Sequence, residues 1–396
     1  MTTTESLTTS GGLITPATRE LNVDGDGFPV DSGYGIWPAA TNLITNGGFE
    51  TNFTGWVAEN ESGGTSGRST DASLFGSASA YFIATTPADN AGIRMTTSVA
   101  AASGSTFTAS AFIRSLDTTE LALRIAEYDT GGNFLRLGAA VHAEFTDDGE
   151  FTRITATATM GASTTQARLF INTWGSQSAE FYVDGIQFEA GPIATPYIET
   201  DGSTESRTAG RVQMPVAGLF TATQGAIATR WRRGAASTSG LFSWRDATND
   251  EIRIGYDGGQ YLVSRATLNQ GEGAYAIPVG AASTTVFRWV SDNVGVSHNG
   301  GVFSSNTNAA TDVVALEADI GGPVSLETLR GNILWFATFA GTLTDADAAA
   351  LNALGDTPPT WAQLVSSVAI CAMPTALWRA EDDTFIKASY APDGGS

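Results

Sequence analysis

Apolar and polar residues alternate one by one from Thr41 to about Glu199, in short runs that end at turns. In the clearest run Phe107, Ala109, Ala111 and Ile113 share one face, and polar or mixed residues share the other. Similar alternation occupies 121–125, 154–160, 167–171 and 181–188. Short strands at this spacing, with no helical pattern between them, predict an antiparallel β-sandwich.

A second all-β region follows the polar stretch 199–206, and we interpret 201–211 as a linker between two domains. Its predicted strands are 226–231, 241–244, 252–256, 261–264, 285–290, 294–298 and 333–339. A short helix is predicted to close this region, with Thr344 as N-cap, acidic Asp345 and Asp347 in the first turn, and Gly355 just past the end.

The two ends of the chain differ from both domains. Residues 1–40 are rich in glycine and proline but carry apolar anchors, which predicts a docking arm that orders against a partner or the protein body. Residues 357–396 are too apolar to remain exposed to solvent, which predicts an extension that packs on the body of the protein or on a neighbouring subunit. The expected fold class is therefore all-β, with two tandem antiparallel sandwiches of jelly-roll type at 41–200 and 212–356.

Composition narrows the function. The formal net charge of −21 argues against a nucleic-acid partner, because phosphate binding needs a basic surface. No apolar stretch is long enough to predict membrane insertion. The polar start does not resemble a secretion signal. A protein that acts outside the cell would then need another way to leave it, and release inside a virion is one such route. One cysteine and two histidines leave little for cysteine-based metal sites or a catalytic triad.

Catalytic patterns find no support in the sequence. The closest approach to a glycoside hydrolase motif begins at Glu317 and Asp319, but Gly322 stands where the second acid is needed. We therefore expect no catalytic residues and a protein that is not an enzyme.

Two segments carry a family resemblance. The segment 41–50 reads TNLITNGGFE and is followed by Gly55-Trp56, and the segment 181–189 reads FYVDGIQFE. Together they resemble the opening and closing strands of carbohydrate-binding modules of the family 4/9/22 type. The resemblance covers about 41–200 and implies a sugar-binding sandwich.

The same resemblance implies a structural calcium ion that joins the first strand to the last. Glu50 and Asp184 occupy the matching positions, and the Gly48 carbonyl is a third expected ligand; carboxylate and carbonyl oxygens suit this hard cation. The alternative is that both carboxylates are ordinary solvated side chains near strand ends.

A sugar-binding face follows from the alternation itself. If Ala167, Leu169 and Ile171 face the core, the opposite face carries an aromatic platform, a cation and an amide, which suit stacking on a sugar ring and binding its hydroxyls. The residues of this face are Arg168, Phe170, Asn172 and Trp174, with Phe112 and Arg114 on a strand expected to be adjacent, and Arg124, as extensions. The alternative is that Phe170 and Trp174 pack under a loop or against another subunit.

The segment 191–198 resembles the exit sequence of phage minor tail proteins, and 211–356 more faintly resembles concanavalin A-like or laminin-G-like sandwiches. With a chain that is rich in alanine and almost lacks lysine, these features imply a minor tail or fibre protein of a virion. The expected partners are other tail proteins, a host-surface glycan and further copies of the chain. The alternatives are a decoration or scaffold protein that binds no sugar and, third, a secreted glycan-active enzyme.

Overall fold

The structure, a computed structural model, describes residues 2–5, 8–10, 34–59, 64–207, 211–215, 224–233, 239–245, 251–257, 260–265, 268–274, 277–278, 281–290, 293–306, 317–320, 331–357, 359–368, 374–379 and 384–388. The chain divides into two compact units. The first unit is Ala39–Arg207, and the second unit combines Met1–Pro38 with Thr208–Ser396. Strands dominate both units, and the predicted all-β fold is confirmed.

Three strands precede the first unit: β1 (Thr2–Glu5), β2 (Thr8–Ser10) and β3 (Tyr34–Ile36). The first unit contains β4 (Ala40–Asn42), β5 (Trp56–Glu59), β6 (Thr65–Ser69), β7 (Ser79–Ala88), β8 (Gly92–Met95), β9 (Val99–Ala100), β10 (Thr106–Ser115), β11 (Thr119–Tyr128), β12 (Phe134–Phe145), β13 (Thr152–Thr159), β14 (Gln166–Thr173), β15 (Gln177–Ala190) and β16 (Glu205–Arg207).

The second unit continues with β17 (Arg211–Pro215), β18 (Gln224–Arg233), β19 (Ser239–Arg245), β20 (Glu251–Asp257), β21 (Gln260–Arg265), β22 (Leu268–Ala274), β23 (Ala282–Val290), β24 (Asn293–His298), β25 (Ser304–Asn306), β26 (Glu317–Ile320) and β27 (Gly331–Phe339). Helices α1 (Asp345–Ala353) and α2 (Trp361–Ser366) follow, and β28 (Pro374–Arg379) and β29 (Thr384–Ala388) end it.

Two antiparallel sheets form the body of the first unit. The sheet that we call the β10 sheet has the order β13-β10-β15-β7-β6, and the β14 sheet has the order β12-β11-β14-β8-β5, with β9 also paired to β14. Neighbouring strands in each order exchange backbone hydrogen bonds, so the order decides which side chains can meet on one face.

The core lies between these two sheets and follows the predicted alternation. It includes fully buried side chains from both sheets, which belong to one apolar cluster: Ala109, Ala111 and Ile113 of β10, Leu121, Leu123 and Ile125 of β11, and Ala167, Leu169 and Ile171 of β14. Burying a leucine or isoleucine side chain stabilises the fold by roughly 1.5–3 kcal/mol. A slip of one residue would expose this set, so the core fixes the register of β14.

The second unit contains a sheet with the path β1-β29-β28-β27-β18-β23-β24-β25, to which β3 adds by pairing with β27, and a seven-stranded sheet β2-β17-β26-β19-β20-β21-β22. The arm and the C-terminal extension therefore supply strands to this unit. Residues 6–7 and 11–33 of the arm lie outside the described residues. Thr344 caps α1 through a capping box with Asp347, and Gly355 has φ +71°, so the predicted helix is confirmed.

Residues 201–207, which the sequence predicted to be the start of the linker 201–211, are part of the first unit. Asp201 forms a bridge with Asn46, and β16 pairs with β4, so residues 201–207 belong to the first unit. A polar stretch can pair as well as an apolar one, because the pairing uses backbone groups. In the described part of the chain, no helix has the length and apolar character needed to cross a membrane.

Candidate functional site

The outer surface of the β14 sheet gathers most of the residues predicted to bind sugar. Arg124 on β11 lies opposite Phe170 on β14, and Asn172 follows two residues later on the same face. Trp174 comes directly after β14 and donates its backbone N–H to the Glu120 carbonyl at 2.8 Å. Arg168, Phe170 and Asn172 point away from the core, as the alternation predicted.

Phe112 and Arg114 do not extend this surface, and the expectation that they would is wrong. They lie on β10, whose neighbours are β13 and β15, so they occupy the outer face of the other sheet. A single sequence shows alternation within a strand but not which strands are neighbours, so it does not distinguish the outer faces of the two sheets.

Phe112 is moreover sealed from solvent, with 0% of its surface exposed. Its ring meets the edge of Phe75 at 5.2 Å, and the Arg153 guanidinium lies 5.3 Å from the ring centroid. Gly185 has φ +58°, and a Cβ there would come within 2.9 Å of Phe112 and 2.7 Å of Phe75, so this packing requires glycine. Phe112 is a packing residue.

A cleft of about 310 Å³ opens on the outer face of the β14 sheet. Its walls combine apolar and aromatic groups with a few polar ones, the usual composition of a small-molecule site. The apolar and aromatic lining residues are Ala126, Tyr128, Phe134, Leu137 and Phe170, and the polar ones are Glu59, Asn90, Arg124 and Asn172. These residues come from β5, β11, β12 and β14 and from the turn before β8.

Asn172 supplies an unpaired acceptor to the cleft. Its side chain is only 1% exposed, and its Nδ2 donates to Glu59 Oε2 over a long 3.5 Å contact. Because a carboxylate only accepts, Glu59 fixes the amide nitrogen on its own side. Asn172 Oδ1 is buried without a hydrogen-bond partner among the described residues, a costly state that a ligand hydroxyl would relieve.

Arg124 supplies the matching donor. Its Nη1 donates to Asn90 Oδ1 at 2.6 Å and its Nη2 to the Thr173 carbonyl at 3.2 Å, which fix the guanidinium plane. Its Nε is buried without a partner in the described part of the chain. Burial lowers the pKa of Arg124, while the negative charges of Asp89 and Glu59 raise it in part. Arginine stays protonated under these influences and can donate to a ligand oxygen.

The apolar wall was missed by sequence reasoning. Phe134 is 58% exposed and Leu137 is 48% exposed, and both belong to β12, which no alternating run had predicted. Phe134 meets Tyr128 edge to face at 5.8 Å, and Arg168 lies 4.6 Å from the centre of the Tyr128 ring. The available signal was one phenylalanine, Phe134, directly after the turn at 129–133 and followed by two leucines within three residues.

Glu50 and Asp184, the predicted calcium ligands, both bind the loop 74–78. Glu50 accepts hydrogen bonds from Ser77 and Ala78, and Asp184 accepts from the N–H groups of Leu74 and Phe75. Burial raises the pKa of Asp184 to about 7, although backbone hydrogen bonds from Phe75, Leu74 and Gly185 lower it in part.

The donor set does not fit a calcium ion. Calcium takes six to eight oxygen ligands, and the carboxylates among them must have oxygens that point at the ion. Each oxygen of the two carboxylates already accepts from the chain itself. Neither Glu50 nor Asp184 therefore has a carboxylate oxygen that lacks a donor from the chain, as an open site for the implied ion would require.

Residues 41–179 match a family model described as a carbohydrate binding domain, CBM_4_9, which spans less than half of the chain. No curated protein matches the chain.

Three solved structures illustrate the likeness to known folds. The CBM22-1 xylan-binding domain from Paenibacillus barcinonensis Xyn10C is 16% identical and covers 39% of this chain and 94% of its own, with a TM-score of 0.31. Domain 4 of AbnA, an extracellular arabinanase from Geobacillus stearothermophilus, is 18% identical over 41% and 83%, with a TM-score of 0.33. The tailspike protein 4 enzymatically active domain of bacteriophage CBA120 is 17% identical over 38% and 21%, with a TM-score of 0.31. Likenesses of this size fix neither a ligand nor a residue role.

Proposed function

We propose that the first unit binds a glycan in the cleft of the β14 sheet. The observation that carries the proposal is Asn172 Oδ1, a buried acceptor without a partner that lines an aromatic-walled cleft. Arg124 Nε is the complementary donor on the next strand. A sugar hydroxyl both donates and accepts, so neighbouring hydroxyls on one ring match this pair of groups. The match of 41–179 to a carbohydrate binding domain supports the same function.

The aromatic side chains would supply the remaining binding energy. Phe134 and Phe170 line the cleft, and the C–H face of a sugar ring packs against aromatic rings of this kind. An open cleft with so few polar groups favours weak binding of a single site, at roughly millimolar to micromolar dissociation constants. Many copies on one particle would turn this into lasting adhesion through avidity.

Binding is favoured over hydrolysis at this site. Glycoside hydrolysis commonly uses two carboxyl groups across the scissile bond. Among the residues that line the cleft, Glu59 is the one carboxylate, and it already faces Asn172 and lies 4.0 Å from Arg94.

The biological role that we propose is a structural protein of a phage tail, a minor tail or fibre component that contributes to attachment to host-surface glycan. The resemblance of 191–198 to tail-protein exit sequences and the lysine-poor composition support this role. Other tail proteins and further copies of the chain are the proposed partners, and the virion tail the proposed location. We also propose that 212–356 is a concanavalin A-like or laminin-G-like sandwich.

A matched pair of arginine variants tests the glycan site in the full chain. Arg124→Gln removes the donor in the cleft, and Arg114→Gln makes the same change on the outer face of the β10 sheet. On a glycan array we expect the wild-type chain and Arg114→Gln to bind the same sugars and Arg124→Gln to lose most of the signal. Equal signals from both variants would exclude the cleft as the binding site. No signal from the wild-type chain would exclude glycan binding.

The tail role has its own test. Mass spectrometry of purified particles should detect the chain in a fixed ratio to the major tail proteins, and antibodies against it should label the tail. A chain that appears only in the culture supernatant would favour the secreted alternative.

A further inference from the structure

The opening segment 42–47 is tied to the last long strand of the first unit by direct hydrogen bonds. The Asn42 side chain donates to the Ile186 carbonyl at 3.0 Å and accepts from the Phe188 N–H at 3.1 Å. The Ile186 N–H in turn donates to the Gly47 carbonyl at 3.0 Å. First and last segments therefore meet without a bridging group.

The two carboxylates beside this junction both accept hydrogen bonds from the loop 74–78. Glu50 Oε1 accepts from the N–H groups of Ser77 at 3.1 Å and Ala78 at 3.2 Å, and Oε2 accepts from the Ser77 N–H at 3.0 Å and its hydroxyl at 2.9 Å. These four contacts come from three donors, because the Ser77 N–H is shared between the two oxygens, and each oxygen accepts from two of the donors.

Asp184 is bound in the same way. Its Oδ2 accepts from the N–H groups of Leu74 at 2.8 Å and Phe75 at 2.9 Å, and its Oδ1 accepts from Gly185 at 2.6 Å. The positive ends of backbone dipoles thus point at both carboxylates, where a metal ligand set would leave oxygens open to the ion. Hydrogen bonds to an ionised group are among the stronger ones in proteins.

The Arg68 guanidinium donates hydrogen bonds to the backbone carbonyls beside these carboxylates. Arg68 Nε donates to the carbonyls of Phe49 at 2.9 Å and Glu50 at 3.0 Å, and Arg68 Nη2 donates to Glu50 at 2.7 Å. Phe49 has φ +58°, a left-handed conformation that costs a phenylalanine energy, and its fully buried ring holds it there against Phe53 and Trp56. Two carbonyls are therefore directed at one cation, and that cation is Arg68.

We infer that the junction between the first and last segments of the first unit is a metal-free clamp, in which Arg68 and the backbone N–H groups of 74–78 take the place of a calcium ion. Glu50 and Asp184 anchor the loop 74–78, and Arg68 fixes the left-handed turn at Phe49. The inference concerns the stability of the sandwich and is independent of what the cleft binds.

Amide hydrogen exchange of the full chain, followed by mass spectrometry, tests the clamp directly. Peptides that contain 74–78 should show the same protection in millimolar calcium chloride and in excess chelator. Protection that appears with calcium, saturates with its concentration and disappears with chelator would overturn the inference and restore the metal site.

Two variants make the test independent of the wild-type result. Glu50→Gln and Arg68→Gln should each speed exchange in the 74–78 peptides by about tenfold or more, to the same extent with calcium and with chelator, because each removes charged hydrogen bonds. Glu144→Gln changes an exposed carboxylate on β12 and should leave these peptides unchanged. A Glu50→Gln effect seen only in calcium would show that Glu50 acts through an ion and would overturn the clamp.

Discussion

The imidazole ring of His142 lies parallel to the indole ring of Trp174, with the ring centroids 4.2 Å apart and 7° between the planes. His142 Nδ1 is hydrogen-bonded to Glu120 Oε1, and the Arg124 guanidinium lies 5.2 Å from the Trp174 ring centroid. The ring is therefore oriented by its neighbours, yet 40% of Trp174 is exposed. Arg124 also lines the cleft, so Trp174 borders the candidate site.

Trp174→Ala should weaken glycan and host-cell binding while leaving the melting temperature nearly unchanged. An aromatic contact of this kind is worth about 0.5–1.5 kcal/mol beyond area burial, which corresponds to a loss of about twofold to thirteenfold in affinity. Titration calorimetry with the best sugar from an array, beside thermal melting, measures both quantities. Unfolding of the variant would make Trp174 a core residue, and an unchanged affinity would exclude the ring from the site.

Phe112 and Phe134 form a matched pair of phenylalanines with opposite expected behaviour. Phe112→Ala should destabilise the first unit by about 3–5 kcal/mol, because it empties a fully buried site. Phe134→Ala, at a position that is 58% exposed, should cost little stability and should weaken glycan binding. Chemical denaturation and the array distinguish them, and a Phe112→Ala chain that is stable but unable to bind would return Phe112 to the site.

Glu127 predicts an acid-labile point in the first unit. Burial raises its pKa, but hydrogen bonds from Thr164, the Gly161 N–H and Arg136 outweigh this, so the pKa lies below its ordinary value. A pKa that is lower in the folded state gives stability that is full above the unfolded pKa of about 4.5 and is lost as the pH falls through the folded value.

Unfolding free energies between about pH 3 and 7 test this expectation. Glu127→Gln should be less stable at neutral pH and should show a shallower loss of stability in acid. Glu144→Gln, an exposed change on the neighbouring strand, should follow the wild-type curve. Parallel curves for Glu127→Gln and the wild type would assign the acid sensitivity to other groups.

Deletion of residues 1–36 should act on the second unit and spare the first. It removes β1, β2 and β3, which pair with β29, β17 and β27. We expect faster amide exchange in those three partners, unchanged exchange in 64–207, and loss of incorporation into particles, because the arm is the predicted docking segment. Normal incorporation of the deleted chain would remove the docking role, and unchanged exchange would show that the three strands add no protection.

What the sequence could predict was local. Alternation assigned Leu169 and Ile171 to the core face and Phe170 and Asn172 to the outer face, and the capping residues identified Thr344 as the N-cap of α1, because both patterns are set by neighbours along the chain. The pairing of β10 with β13 and β15 depends on contacts far apart in sequence, and so the position of Phe112 was out of reach.

The candidate site was predictable in part for the same reason. The sequence identified Arg124 and Asn172, but Glu59 and Asn90 enter the cleft only because β8 lies beside β14 and β5 lies beside β8. The motif at Glu50 and Asp184 suggested an ion, whereas the partners of those carboxylates are backbone N–H groups of a distant loop. Because nearly every residue carries the same backbone N–H, the residue types in a motif do not show which N–H groups will meet a carboxylate.

The alternation along β14 separates two kinds of selection within eight residues. Ala167, Leu169 and Ile171 are constrained by packing in the core. Arg168, Phe170 and Asn172 lie on the outer face, where the constraint would come from the proposed ligand. Under the proposed function, substitutions in the second set would change which sugar binds while the first set keeps the fold, and a codon library restricted to those positions would test this. Ligand specificity and stability of the fold would then depend on different residues of the same strand.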